Sequence, residues 1–388
     1  MDFNNTEIAF AGKTNAEIKR SYWLFKIIAW NWLIKIGPTL LKLFMPLYFP
    51  IPIIRATIFK HFCGGENIEE TATTTKRLAE LNVKTILDYS VEGKQLETVF
   101  DANVNEVINT IKKSASSKNI PFAVFKPTGF GRFELLEKVN AKKQLSIQEK
   151  EEFERFTNRV DTLCQAAFKA NVPVFIDAEE TWIQNPVDEL ALEMMRKYNK
   201  EKAIVYNTVQ LYRWDRIAYI KTLIATAKNE GFIVGLKLVR GAYIEKERER
   251  AEKMGYPDPM QKTKADTDRD YNLAQKICIE NIETVSFCSG THNEESALYL
   301  SQLMKEHHVS KNDSRIYFAQ LLGMSDHISN NLAKADYNVA KYVPYGPVKD
   351  VTPYLIRRAE ENTSIAGQTS RELQLIKKEL ERRRQSIS

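Results

Sequence analysis

The chain has 388 residues, enough for one large domain or two of ordinary size, and 43% of them are hydrophobic, which excludes a wholly disordered chain. A net charge of +6 is spread along a sequence with 27% charged residues, so it singles out neither nucleic acid nor membrane as a partner. Cys63, Cys164, Cys278 and Cys288 lie far apart with no CxxC pair. Neither a disulfide framework nor a zinc site is expected, no metal is called for, and a reducing compartment is the default.

Residues 1–12 carry Asp2 and Glu7 and lack the apolar run of a secretory signal. Residues 21–60 are rich in Trp, Phe, Leu and Ile, and no acidic residue occurs from Ile18 to Gly65. Lys26, Lys35, Lys42 and Arg55 interrupt every apolar run well short of a membrane-spanning length, and Pro46, Pro50 and Pro52 break any long helix. Two readings stay open: an arm packed on the domain, or a peripheral membrane contact in which aromatic and aliphatic side chains enter the interface while the cations meet anionic lipid. The expected organisation is an arm over residues 1–62 and an α/β domain over residues 63–388.

From about residue 73, short β-rich runs alternate with amphipathic helical stretches. The predicted strands are 84–91 (KTILDYSV), 122–127 (FAVFKP), 172–178 (VPVFIDA), 203–210 (AIVYNTVQ), 234–241 (VGLKLVRG), 285–289 (VSFCS), 315–321 (RIYFAQL) and 337–343 (YNVAKYV). Helices are predicted between them, for example over 215–229 and 267–283, and residues 130–169 read as a charged helical excursion between strands two and three. Eight strands alternating with helices match a closed (β/α)8 barrel. A doubly wound sheet would usually show GxGxxG after its first strand, and the nearest approach, Gly129-Phe130-Gly131, lacks the third glycine. The tail over 371–384 reads as a basic amphipathic helix without an assignable role.

In such barrels the chemistry gathers at the carboxyl ends of the strands. Those ends read Lys126, Asp177, Gln210, Arg240, Thr291–His292–Asn293, Leu321 and Tyr342, polar or ionisable in every case but Leu321. Beyond the eighth strand, Arg357 and Arg358 lie about 100° apart on a predicted helix and can straddle one anion. Tyr354 precedes them by three and four residues, and Glu361 follows Arg357 by four, on the same side of that helix. A lone Arg-Arg pair is ordinarily a solvated face, so its meaning depends on what surrounds it.

The segments FKPTG (125–129), IDAEE (176–180), NTVQLY (207–212), KLVRGAYIEKER (237–248), THNE (291–294), FAQLLGMSD (318–326), KYVPYGPV (341–348) and PYLIRRAEEN (353–362) stand in an order that resembles the proline dehydrogenases. The resemblance runs from about residue 60 to Asn362 and is closer to the monofunctional, mitochondrial-type enzymes than to the bifunctional bacterial ones. It implies a distorted (β/α)8 TIM-type barrel with an N-terminal helical arm and the last helix over the barrel mouth. It also implies FAD-dependent oxidation of L-proline to 1-pyrroline-5-carboxylate, with hydride passing to flavin N5 and electrons then to membrane quinone.

By position in these motifs, the resemblance implies that Lys126, Arg357 and Arg358 hold the substrate carboxylate. Leu321, Tyr342 and Tyr354 would pack on the proline ring, and Glu361 would pair with the arginines. Asp177 matches a buried aspartate beside Lys126. Together with Gln210, Lys237, Arg240, Gly241, Tyr243, Thr291, His292 and Asn293, it falls at cofactor-contacting positions. Lys237 stands where the bifunctional proteins have arginine, which keeps the charge without the planar fork. Tyr342 stands where hydroxyproline-oxidising relatives carry a smaller residue, which favours proline over hydroxyproline. The location implied is peripheral: the cytoplasmic face of the inner membrane in a bacterium, or the mitochondrial inner membrane in a eukaryote, although no clear transit peptide is seen.

Overall fold

The protein is described by a computed structural model covering residues 2–28, 50–90, 95–364 and 368–386. Its eight strands close into a barrel in chain order: β1 (Lys84–Tyr89), β2 (Phe122–Phe125), β3 (Val174–Ile176), β4 (Val205–Gln210), β5 (Val234–Val239), β6 (Val285–Gly290), β7 (Ile316–Leu321) and β8 (Val339–Tyr345). Every pair whose register is described is parallel. Helices fill each connection, as parallel neighbours require. The predicted excursion between β2 and β3 consists of two helices, Phe133–Asn140 and Ile147–Ala170. A capping box between Ser146 and Glu149 starts the second, and Asn171 in the left-handed region ends it.

The sequence expectation of an eight-stranded barrel is met, with shifts at the strand ends. β3 is only three residues long because Val172 is still tied to the preceding helix, its N–H donating to the Ala167 carbonyl at 2.9 Å. β8 runs two residues past the predicted end, through Pro344. Proline lacks a donor but keeps its acceptor, and the Pro344 carbonyl receives the Gly64 N–H at 2.8 Å. Tyr342, predicted at a strand end, therefore sits inside β8. Val91, the predicted end of β1, lies outside the described residues.

Two compact units are distinguished, Met1–Glu92 with Gln320–Ser388, and Gly93–Ala319. In the Gly93–Ala319 unit, Phe122, Phe175, Tyr206 and Tyr317 come from four strands, and their rings meet. Phe122 stacks on Phe175 at 4.4 Å and meets Tyr317 edge-on at 4.9 Å. Rings on different strands can meet like this only if all point inward, so they form the barrel's aromatic floor. Gly235 on β5 makes room for it, since a Cβ there would lie 2.3 Å from the Val205 carbonyl oxygen and 2.8 Å from the Tyr206 ring.

In the other unit, the helix Val348–Ser364 packs Val351, Tyr354 and Leu355 against Phe59, Phe62 and Met324. The predicted basic tail is the helix Gln368–Gln385, whose Leu375 and Ile376 pack against Phe10, Ile18 and Phe25. Among the described residues no helix is long and apolar enough to cross a membrane. Residues 29–49, which carry part of the aromatic arm, lie outside the described residues.

Candidate active site

Within the Gly93–Ala319 unit, most of the predicted strand-end residues stand where expected. Lys126 and Asp177 directly follow β2 and β3, Gln210 ends β4, and Arg240 and Thr291 directly follow β5 and β6. Asp177 donates its N–H to the Phe125 carbonyl at 2.9 Å, which ties together the loops that carry Lys126 and Asp177.

The centre of this unit is an ion pair. Lys237 points into the lumen from β5, only 5% exposed, and its ammonium donates to Asp177 Oδ1. Thr208 Oγ1 approaches the same oxygen at 3.4 Å, and the Lys237 ammonium lies 5.6 Å above the Phe175 ring of the aromatic floor. A cation and a carboxylate this deep persist only as a pair. The family resemblance implied Lys126 as the neighbour of Asp177; the structure gives Asp177 a direct partner in Lys237.

Arg240 is anchored on three sides. Its Nε donates to Asp268 at 2.7 Å, Nη1 to Thr291 Oγ1 at 2.7 Å and Nη2 to Ser296 Oγ at 2.9 Å, while its plane lies 4.3 Å from the Tyr271 ring. This fixes a cation at the carboxyl end of β5 and links it to the end of β6. Asn293, predicted to touch a cofactor, caps the helix Glu294–Glu306, its Oδ1 accepting from Ser296 N–H at 2.8 Å. Gly241 has φ +127°, and a Cβ there would sit 2.5 Å from the Tyr212 ring, so only glycine fits. Tyr243 precedes the first turn of the helix Ile244–Met254, and His292 is half-buried just after Thr291.

Sequence reasoning missed Glu179, although it lies within the IDAEE motif. Its carboxylate accepts from Thr128 N–H at 3.0 Å and Thr128 Oγ1 at 2.6 Å, so it holds the loop carrying Lys126. Its own carbonyl receives the Gln210 side-chain amide at 2.7 Å. Burial, with Glu180 close by, pushes its carboxyl up to about 7 against the Thr128 hydrogen bonds and Lys126. The available signal was its spacing, two residues beyond Asp177 on the same strand exit.

In the unit of Met1–Glu92 and Gln320–Ser388, Leu321 ends β7, and Leu322 N–H donates to the Tyr342 carbonyl at 2.8 Å. Tyr342 and Tyr354 are buried. Arg358 is 7% exposed and lies 5.0 Å from the Tyr354 ring four residues earlier, so the arginine pair is not a solvated helix face. Arg357 beside it is half-buried, and the side chain of Glu361 lies outside the described residues.

A parallel eight-stranded barrel with buried cations and carboxylates at its carboxyl ends defines a barrel enzyme. Residues 71–371 match the family described as proline dehydrogenase. The chain is 30% identical to proline dehydrogenase 1, mitochondrial, of Dictyostelium discoideum, an alignment covering 99% of this chain and 75% of that one. It is 41% identical to proline dehydrogenase 1, mitochondrial, of Homo sapiens, over 61% of this chain and 40% of that one. Among solved structures, proline utilization A of Bdellovibrio bacteriovorus superposes with a TM-score of 0.73 at 20% identity, covering 94% of this chain and 36% of that one. That similarity concerns the fold. The chain belongs to the proline dehydrogenase family and is an oxidoreductase of that class.

Proposed function

We propose that this chain oxidises L-proline to 1-pyrroline-5-carboxylate with FAD and passes the electrons to membrane quinone. The observation that carries this reading is the buried Lys237–Asp177 pair, standing among donors from the ends of β4, β5 and β6 in a chain of this family. The residues present suit a flavin. Lys237 and Arg240 supply cations and Thr291 a hydroxyl, while the Tyr212 hydroxyl is buried with no hydrogen-bond partner among the described residues. Asp177, Gln210, Lys237, Arg240, Gly241, Tyr243, Thr291 and His292 would hold the cofactor, and Asn293 would shape the turn beside them.

A bound FAD supplies the redox chemistry, taking hydride from the ring carbon next to nitrogen. The chain's own residues place that carbon. Lys126, Arg357 and Arg358 grip the carboxylate through charge-assisted hydrogen bonds, so only one ring carbon can present itself. Leu321, Tyr342 and Tyr354 pack on the ring, and Glu361 pairs with the arginines. Concentrated positive charge disfavours the protonated amine, whose proton passes to solvent water before hydride leaves. Lys237, held by Asp177, would supply a cation beside the bound cofactor. The Tyr342 phenol crowds a ring hydroxyl and so disfavours hydroxyproline.

Membrane contact is supported by the helix Asn15–Ile28, which leaves Trp23 57% and Ile27 40% exposed four residues apart, with Lys26 4.9 Å from the Trp23 ring. The mitochondrial names of several relatives favour the mitochondrial inner membrane for a eukaryotic source. The test of the central reading is a visible spectrum of the purified protein before and after anaerobic L-proline, with 4-hydroxyproline alongside. Bleaching by proline first is expected; a flavin spectrum that proline leaves unchanged would refute the assignment.

A further inference from the structure

The turn after β7, residues 321–325, is held by charges from both ends of the chain. It contains two left-handed residues, Gly323 at φ +78° and Ser325 at φ +52°, the second of them costly for a residue with a Cβ. Four of its backbone polar groups meet three side chains. His61 Nε2 bonds the Gly323 carbonyl at 2.9 Å, the Lys341 ammonium donates to the carbonyls of Leu321 and Met324, and Ser325 N–H donates to Glu372 Oε1 at 2.6 Å. Asp326, next in the chain, bridges Lys341 at 2.9 Å and Lys13 at 2.6 Å. Lys13 comes from the N-terminal segment, Lys341 from β8 and Glu372 from the C-terminal helix, whose role the sequence left open.

Lys341 is 1% exposed and Glu372 5%, so both charges carry a desolvation penalty, offset by the turn's backbone groups and by Asp326. What the charges add is a specified backbone path. That path begins at Leu321, and Leu322 N–H is bonded to the Tyr342 carbonyl, so the turn carries Leu321 and is tied to β8 at Tyr342, the two residues proposed above to face the proline ring. Although burial would raise it, the carboxyl of Asp326 is held well below the usual carboxylate range by Lys13 and Lys341, while burial lowers the Lys341 ammonium against the pull of Asp326.

We propose that Lys13, Asp326, Lys341 and Glu372 are positioning residues for the reaction: they fix the turn after β7 and through it the wall that Leu321 and Tyr342 present to the substrate ring. The inference rests on the proline reading, so the wild-type full-length enzyme is assayed first. Lys13→Met and Glu372→Met are then compared with it in kcat and KM for L-proline, in kcat/KM for the six-membered analogue pipecolate, in flavin content and in thermal midpoint. Lys13→Arg serves as the conservative control.

A receding wall should raise the proline KM roughly threefold to tenfold, leave kcat within about twofold, and lower the proline-to-pipecolate preference by a similar factor, with Lys13→Arg restoring all three. A lowered midpoint with unchanged KM and unchanged preference in both variants would overturn the proposal and leave a merely structural clasp. A wild-type enzyme inert to proline would instead remove the reading beneath it. Two variants from opposite ends of the chain keep the test decisive should one of them fold poorly.

Discussion

Lys237→Met is the sharpest test of the pair at the centre of the barrel. The substitution keeps the length of the side chain and removes the charge, taking away the ammonium in contact with Asp177 Oδ1, which Thr208 Oγ1 approaches at 3.4 Å. Lys237 is 5% exposed and the Asp177 side chain 14%, so water replaces little of what is lost. Removing one member of a buried pair costs about 3–5 kcal/mol, most of it from the stranded partner. For a chain of 388 residues the unfolding entropy near the midpoint is about 0.8 kcal/mol per degree, so the thermal midpoint should fall by about 4–6 °C. Asp177→Asn alone takes the opposite charge from the lysine in the same way. The double variant Lys237→Met/Asp177→Asn should recover part of the loss, with a coupling of about 2 kcal/mol or more across the cycle. The assay is thermal unfolding of the four proteins in one buffer, freed of flavin so that cofactor binding does not add to the midpoints. Additive effects, with coupling below about 0.5 kcal/mol, would refute the claim that the two groups sustain each other.

Arg358→Met should raise the proline KM by a factor matching about 2–4 kcal/mol while flavin stays bound; steady-state kinetics with a flavin-to-protein ratio checks it, and an unchanged KM would remove the residue from the site. Gly241→Ala should destabilise by about 1–3 kcal/mol, because φ +127° is foreign to alanine and its Cβ would press on the Tyr212 ring at 2.5 Å; urea unfolding measures it. Glu179 gives a pH signature. Its folded pKa of about 7 lies above the ordinary value, so its contribution to stability is full below pH ~4 and is lost as pH rises through 7, by at most about 3 kcal/mol. Glu179→Gln should flatten that slope between pH 4.5 and 7.5; parallel wild-type and variant stability curves would refute it.

The strands were legible because β-branched and aromatic runs recur at barrel spacing, and Lys126, Asp177, Gln210, Arg240 and Thr291 were legible because polar residues end apolar runs. Their partners were not. Asp268 and Ser296, which hold Arg240, lie on helices 28 and 56 residues away along the chain, and no local pattern announces a contact at that distance. The end of β8 was misplaced because Pro344 looks like a stop, whereas only its donor is missing. The arginine pair illustrates the limit in the other direction. Spacing placed Tyr354 and Arg358 on one face, but whether that face was wet or buried depended on Phe59, Phe62 and Met324, which meet it from elsewhere in the chain.

Asp177 and Glu179 show why composition alone could not assign roles. They leave β3 two residues apart, carry the same functional group and are both shielded from water. Asp177 meets a buried ammonium, and the pair can persist only with both charges present. Glu179 meets two hydrogen-bond donors from Thr128 but, among the described residues, no cation in direct contact, and the burial that the ion pair offsets at Asp177 instead lifts the Glu179 carboxyl toward neutrality. One carboxylate therefore fixes charge beside the site, while the other fixes the backbone that carries Lys126. This division follows from Lys237 lying on β5 rather than from anything in the IDAEE motif itself. Exchanging the two side chains, Asp177→Glu with Glu179→Asp, should thus damage both functions even though net charge is unchanged.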